Sequence, residues 1–258
     1  ELIFVVDVSG SMDGAPLALA KATLREALAG MRPVDTFDVV VFAGRTARLF
    51  DAPRPASAEH LRRATEFIDG LAAGGGTEMA DAVQSSLHGP VAAGRHRYVF
   101  FLTDGYIGEE AAIARGAQAL IAAQRQLGRR ARVFGVGIGA APNSELITGL
   151  SRAGEGLPLY IRQSADIARV VNRFQRTIDA PIVTDLSVDW GGLAVDGVYP
   201  RAAPDLFASH PLVVHGRFKG PAPTSLRLHG KVDGRAVSFP IAITPASERG
   251  EEIGRAHV

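Results

Sequence analysis

The fold of this chain is decided by the stretch Phe4-Val5-Val6-Asp7-Val8-Ser9-Gly10-Ser11-Met12. The apolar run from Leu2 to Val6 is short enough to form a buried strand. Three side chains with oxygen atoms, Asp7, Ser9 and Ser11, follow it at every second position, and the glycine between the last two permits a turn. The strand therefore delivers a polar cluster to its own carboxyl end.

Two later stretches repeat part of this arrangement. Gly74-Gly75-Gly76-Thr77 precedes a helical pattern, and the apolar segment 98–102 is followed by Thr103-Asp104-Gly105. Together with the first stretch they offer two carboxylates and several hydroxyl groups. None of the three stretches contains a histidine or a cysteine.

This set of side chains predicts the kind of metal. Oxygen donors suit Mg²⁺, Mn²⁺ or Ca²⁺, whereas zinc and copper sites draw on His and Cys. Asp7 and Asp104 would balance the charge of the cation, and the hydroxyls of Ser9, Ser11 and Thr77 would add neutral oxygens. Because such a site has no spare negative charge, a carboxylate of another molecule is the natural further ligand.

In order and spacing, the three stretches resemble the metal-ion-dependent adhesion site of the von Willebrand factor type A family. The resemblance covers about Leu2 to Ile178. It implies that Asp7, Ser9, Ser11, Thr77 and Asp104 are the metal-site residues, some direct and some through water. It also implies a protein-binding module without catalysis, in which an acidic side chain of a partner protein completes the coordination of the metal.

Strands and helices alternate over the first two thirds of the chain. After the first strand, apolar runs at 36–43, 98–103, 131–137 and 157–161 predict strands with helices between them. This alternation predicts a doubly wound, mostly parallel α/β sheet covered on both faces, with one antiparallel edge strand at 46–50. We expect this von Willebrand A, Rossmann-like domain to span 1–178, with Ser57 capping one helix and Thr77 beginning another that runs to Leu87.

From Pro181 onward the pattern changes to short segments in which apolar and polar residues alternate. Asp233-Gly234 is a strong hairpin signal between two of them. We expect a small antiparallel β-sandwich-like unit at 181–245, followed by a tail at 246–258. Segments such as Pro204-Asp205-Leu206-Phe207 resemble the region after the A domain in inter-α-trypsin-inhibitor heavy-chain-like proteins.

The two ends of the chain suggest a piece of a larger gene. Glu1 lies almost inside the first strand, so we expect the natural protein to begin upstream. Residues 252–258 match the in-frame translation of a common sequencing adapter, and we expect this end of the tail to be an artefact. Lysine is rare, with only Lys21, Lys219 and Lys231 among 28 basic residues, which is typical of a GC-rich, bacterial genome.

Composition excludes several classes of function. With 47% hydrophobic and 21% charged residues, the chain can bury a sizeable core. A formal charge of +1 gives no reason to expect nucleic acid or an anionic membrane as partner. No apolar run approaches the roughly 20 residues of a membrane helix, so we expect no membrane insertion. The absence of cysteine excludes disulfides and thiol catalysis. The family resemblance suggests a secreted or cell-envelope protein.

Three alternatives stay open from the residues alone. A strand ending in Asp7 could supply the nucleophile of a Mg²⁺-dependent phosphohydrolase, but the second carboxylate that this chemistry needs is replaced by Ser9. A serine hydrolase using Ser9 or Ser11 would need a histidine whose position no spacing reveals. The domain could instead be a structural part of an envelope or pilus-like protein, in which the metal serves stability.

A glycine-rich segment favours a structural interpretation over a nucleotide-binding site. Gly135-Val136-Gly137-Ile138-Gly139 lies between a predicted strand and a predicted helix, as a dinucleotide-binding loop would. The spacing of the third glycine does not fit the dinucleotide fingerprint, and no acidic residue ends a strand about 20 residues later. We therefore interpret these glycines as positions of close packing between strand and helix.

Overall fold

The structure is a computed structural model that describes residues 1–92, 95–105, 110–127, 131–179, 183–199, 203, 205–206, 212–232 and 234–243. The chain folds into two compact units, Glu1–Phe174 and Gln175–Val258. The sequence places the division at 178–181, and those domain bounds stay a prediction. The predicted tail at 246–258 lies outside the described residues. No helix in the described ranges has the length and apolar character needed to cross a membrane.

The alternation of strands and helices continues through the first two thirds of the chain. The elements are β1 (Leu2–Asp7), a 3-10 turn (Gly10–Met12), α1 (Ala15–Ala29), β2 (Thr36–Phe42), β3 (Thr46–Arg48), β4 (Arg54–Pro55), α2 (Ala58–Asp69), α3 (Met79–Leu87), β5 (Arg97–Thr103), α4 (Glu110–Gln126), β6 (Ala131–Ile138), α5 (Ser144–Ala153), β7 (Leu159–Ile161), a second 3-10 turn (Ser164–Asp166) and α6 (Ile167–Asp179). The predicted cap of α2 is confirmed, because the Ser57 hydroxyl accepts a hydrogen bond from the His60 amide.

These strands form one sheet in the order β3-β2-β1-β5-β6-β7, and β4 also pairs with β2. The pairs from β2 to β7 are parallel, whereas β3 and β4 are antiparallel to β2. The predicted α/β fold with a mostly parallel sheet is therefore confirmed. One detail differs, because two short antiparallel strands pair with β2 where the sequence predicts a single one.

Helices cover both faces of the sheet. On one face, side chains such as Val5 of β1 and Phe101 of β5 pack with Met79, Ile113 and Leu146 from α3, α4 and α5. On the opposite face, the ring of Phe174 in α6 lies 4.5 Å from Phe100 and 5.0 Å from Phe134 between ring centroids. Each fully buried side chain of this size contributes about 1.5–3 kcal/mol to stability. The strands are therefore held rigidly from both sides.

The glycine-rich segment of β6 packs tightly on α5. A Cβ added at Gly135 would lie 2.7 Å from the carbonyl oxygen of Ile147 and 2.9 Å from the hydroxyl of Ser151. Real Cβ atoms essentially never come so close to backbone oxygen. The interpretation of Gly135 as a position of close packing between strand and helix is confirmed.

The described residues of the second unit form two antiparallel sheets. Its strands are β8 (Thr184–Asp189), β9 (Val195–Tyr199), β10 (His215–Phe218), β11 (Ser225–Val232) and β12 (Arg235–Ala242). One sheet has the order β12-β11-β8, and the other pairs β10 with β9. β11 and β12 pair as a hairpin, as predicted, although Asp233 lies outside the described residues. The sandwich arrangement of the two sheets stays a prediction.

Candidate metal centre

The carboxyl ends of β1 and β5 lie side by side at one edge of the sheet. The two strands are parallel, with Val6 opposite Leu102. From β1 the chain moves to β2 on one side, whereas β5, β6 and β7 follow on the other side, so the strand order reverses between β1 and β5. Asp7 ends β1 and Asp104 directly follows β5. Both carboxylates therefore lie where open α/β sheets bind ligands.

Asp7 is fully buried, and both of its carboxylate oxygens accept hydrogen bonds. Oδ1 accepts one from the Ser9 amide at 2.8 Å, and Oδ2 accepts one from the Thr103 hydroxyl at 2.6 Å. Burial raises the pKa of Asp7, the hydrogen bonds from Ser9 and Thr103 lower it in part, and the charge of Asp104 raises it further. A carboxylate has about four lone-pair sites, so acceptor capacity remains on this side chain.

The side chains of Ser9, Ser11 and Asp104 form a continuous chain of oxygen atoms. The two serine hydroxyls lie 3.2 Å apart, and the Ser11 hydroxyl donates to Asp104 Oδ1 at 3.0 Å. Ser9 and Asp104 are buried, whereas Ser11 is exposed. The loop after β1 and the loop after β5 are thereby joined across 93 residues of sequence.

Thr77 lies in a loop that backbone hydrogen bonds hold against the first loop. The Gly10 amide donates to the Gly75 carbonyl at 3.2 Å, and the Gly74 amide donates to the Val8 carbonyl at 2.8 Å. The Thr77 hydroxyl makes no hydrogen bond with any of the described residues, and the residue is half-buried. The loop that carries Thr77 therefore adjoins the site, while a direct contact of its side chain stays a prediction.

The prediction that Thr77 begins a helix is wrong. α3 begins at Met79, and Glu78 precedes it without a side-chain cap. The Glu78 amide instead donates to the carbonyl of Ala43, the residue after β2, at 2.7 Å. This bond ties Glu78 to the end of β2, and the helix starts two residues later than the glycine run suggests.

Two residues without a predicted role support the site. Thr103 donates to Asp7 and accepts from the Gly105 amide at 2.9 Å. The backbone amide of Asn143, the residue before α5, donates to the Asp104 carbonyl at 2.8 Å. Thr103 lies beside Asp7 because of the way β1 pairs with β5. This pairing cannot be inferred from the spacing of residues in the sequence, so the sequence did not reveal the role of Thr103. The only local signal for Asn143 is its position as a helix cap.

The donor set fits a divalent cation. Neither Asp7 nor Asp104 pairs with a basic side chain in the described part of the chain. Two buried carboxylates that repel each other are costly unless a positive charge compensates them. No group of three or more His, Cys, Asp or Glu side chains suited to a metal occurs among the described residues. The fit therefore depends on two carboxylates combined with hydroxyl groups, a combination that Mg²⁺ accepts because it retains several waters.

Comparisons with known proteins agree with this fold. The family model described as von Willebrand factor type A domain matches residues 1–158. A von Willebrand factor A domain-containing protein of Dictyostelium discoideum is 29% identical over 216 residues, which is 83% of this chain and 22% of that protein. Human inter-alpha-trypsin inhibitor heavy chain H4 is 26% identical over 262 residues, covering 97% of this chain and 28% of that protein.

A solved structure shows the same fold. The von Willebrand factor type A protein from Catenulispora acidiphila superposes with a TM-score of 0.62 and 18% identity, covering 92% of this chain and 63% of that one. The chain spans about a quarter of the length of the Dictyostelium and human relatives. Since the family model covers more than half of its residues, the chain belongs to the von Willebrand factor type A domain family.

Proposed function

We propose that this domain is a metal-dependent protein-binding module. Asp7, Ser9, Ser11, Thr77 and Asp104 hold Mg²⁺, or Mn²⁺ or Ca²⁺ in its place. The bound cation supplies the positive charge that attracts an acidic side chain of a partner protein. The observation that carries the proposal is the pair of buried carboxylates, Asp7 and Asp104, which meet at the reversal point of the sheet without a basic partner among the described residues.

Charge and exposure at the site favour an acidic partner. Two carboxylates neutralise one divalent cation, and the hydroxyls of Ser9, Ser11 and Thr77 add no charge. A further anionic oxygen therefore meets little repulsion from the site. Ser11 is exposed and Thr77 is half-buried, so the rim of the site is open to a macromolecule.

The phosphohydrolase alternative gains no support from the geometry. Its second carboxylate would stand two residues after Asp7, where Ser9 lies. This chemistry also commonly uses a lysine to hold the phosphate. Lys21, the only lysine in the sequence of the first unit, donates instead to the Asp69 carbonyl at 2.9 Å, between α1 and α2. We therefore propose a binding role rather than catalysis, at the cell surface or in secreted form, as for an adhesion-type domain.

Calorimetric titration with MgCl₂, MnCl₂ and CaCl₂ tests the metal site directly. We expect the wild-type chain to bind one equivalent of cation and Asp7→Ala and Asp104→Ala to bind none. Asp69→Ala is the matched control, because Asp69 is a half-exposed carboxylate that pairs with Arg25 and is not one of the predicted metal-site residues. Wild-type protein that binds none of Mg²⁺, Mn²⁺ and Ca²⁺ would contradict the proposal.

Capture of partners from a native surface extract tests the second step. We expect capture in MgCl₂ that is reversed by EDTA, abolished by Asp7→Ala and retained by Asp69→Ala, with circular dichroism showing that both variants are folded. Capture that persists in the variant would argue against coordination by the partner. A metal that raises the melting temperature without any EDTA-sensitive capture would favour the structural alternative.

A further inference from the structure

Asn143 joins the start of α5 to the loop that carries Asp104. We propose that Asn143 is a positioning residue for the metal centre: it fixes the backbone of Asp104 and Gly105 and thereby sets the affinity for the cation. The inference depends on the proposed function, because it concerns the same site. None of the three metal-site motifs contains Asn143, which lies 39 positions after Asp104 in the chain.

Two hydrogen bonds from Asn143 hold consecutive carbonyl groups of the loop. Its backbone amide donates to the Asp104 carbonyl at 2.8 Å, and its side-chain Nδ2 donates to the Gly105 carbonyl at 3.0 Å. The backbone carbonyl groups of Asp104 and Gly105 are therefore both fixed. Since the Ser11 hydroxyl holds Asp104 Oδ1, the backbone and the carboxylate of this residue are both restrained.

The approach between the two segments is close enough to require glycine at position 105. Gly105 has a φ of +80°, a conformation that residues with a Cβ rarely adopt. A Cβ added there would lie 2.8 Å from the Cβ of Asn143. Gly105 therefore packs directly against Asn143, the residue before α5.

The other contacts of Asn143 explain why the residue has to be an amide. Its Oδ1 accepts from the amides of Glu145 and Leu146, both at 3.2 Å, and so caps α5. Its Nδ2 also donates to Glu110 Oε1 at 2.8 Å, in the first turn of α4. One side chain therefore needs an acceptor for the helix and donors for a carbonyl and a carboxylate. Asparagine has both, whereas an ionised aspartate has no donor and serine has a single hydroxyl on a shorter side chain.

The consequence concerns metal affinity. Outer hydrogen-bonding partners orient metal ligands, and their loss typically weakens binding about 10–100-fold. Asn143 ties Asp104 to α4 and α5, which pack on the sheet through Ile113 and Leu146. Asn143 therefore connects Asp104 and Gly105, the two residues that follow β5, to the packed core.

Asn143→Ser tests the inference. Serine caps a helix about as well as asparagine, but its side chain is too short to reach the Gly105 carbonyl and Glu110. We expect the dissociation constant for Mn²⁺, measured by calorimetry, to rise by about tenfold or more. The melting temperature in EDTA should fall no further than in Ser57→Ala, a control that removes the cap of α2 and leaves Mn²⁺ affinity unchanged.

The outcomes separate this inference from the proposed function. If the wild type binds Mn²⁺ and Asn143→Ser, which keeps only the backbone bond to the Asp104 carbonyl, binds it equally tightly, the positioning role of the Asn143 side chain is overturned and the metal centre stands. If the wild type does not bind Mn²⁺, Mg²⁺ or Ca²⁺, both proposals are overturned together. Asn143→Thr, a second variant with a capping hydroxyl and no amide, serves in the same titration if Asn143→Ser yields no folded protein.

Discussion

At the scale of single residues, the site depends on side chains that hold Asp7 in place. Asp7 is buried, and two of its hydrogen bonds come from the Ser9 amide and the Thr103 hydroxyl. Thr103 is itself buried and also accepts from the Gly105 amide, so it connects the end of β1 to the loop after β5. One hydroxyl therefore orients a predicted metal ligand on one strand and supports the backbone next to the other.

Thr103→Val tests this role, because it keeps the shape of the side chain and removes its hydroxyl. The Gly105 amide loses its partner, and Asp7 loses a donor. We expect the free energy of unfolding in EDTA to fall by about 1–3 kcal/mol, the usual cost of an unsatisfied buried polar group. Chemical denaturation measures this change, and Mn²⁺ titration should show weaker binding.

The matched control for this variant is Thr23→Val in α1. Thr23 is also fully buried, but its hydroxyl donates only to the Leu19 carbonyl in its own helix. That carbonyl keeps its helical partner, so we expect a smaller change in stability and no change in Mn²⁺ affinity. Equal effects of the two substitutions on Mn²⁺ binding would show that Thr103 has no special relation to the site.

At the scale of elements, close packing of α5 on β6 fixes where Asn143 lies. β6 approaches α5 through Gly135, and the Gly135 amide donates to the Ser151 hydroxyl at 2.9 Å. A larger residue at position 135 would push α5 away from the sheet. Because Asn143 precedes α5, such a shift would also move the contact with the Asp104 loop.

Gly135→Ala is expected to destabilise the protein by about 3 kcal/mol, the upper part of the range for overpacked cores. Gly116→Ala, in the exposed face of α4, meets no atom within 4 Å and removes a flexible residue from a helix. We expect that control to stabilise the protein by about 0.5–1 kcal/mol. Urea denaturation of both variants gives the comparison, and a neutral result for Gly135→Ala would show that the strand and helix can separate at no cost.

The elements also show what the sequence predicts well. Apolar runs of five to eight residues, such as those at 2–6 and 98–102, became strands buried on both faces because few other structures bury such runs. Because Asp7 and Asp104 stand at the ends of these two runs, their positions at the edge of the sheet could be predicted from the sequence as well. By contrast, the start of α3 depends on the bond from Glu78 to Ala43, and the role of Asn143 depends on the approach of α5 to Gly105. These contacts join distant segments, and no local pattern encodes them.

At the scale of the whole molecule, charge is nearly balanced, with 28 basic and 27 acidic side chains besides the histidines. Such a molecule has no long-range field that would attract a polyanion, so recognition has to be local. The candidate metal centre is a local source of charge, since a cation there would concentrate positive potential at one edge of a sheet. The specificity proposed for the domain therefore depends on one site rather than on a charged surface.

Metal binding should also stabilise the fold, because the site joins loops that are far apart in sequence. A ligand that binds only the folded state at 100 times its dissociation constant adds about 2.7 kcal/mol of stability. For a unit of this size, each kcal/mol raises the melting temperature by about 2–4 °C. We therefore expect saturating MgCl₂ to raise the melting temperature of the wild-type chain by about 5–10 °C relative to EDTA at equal ionic strength. Asp7→Ala should show no such rise, and an equal rise in that variant would mean that magnesium stabilises the protein at some other place.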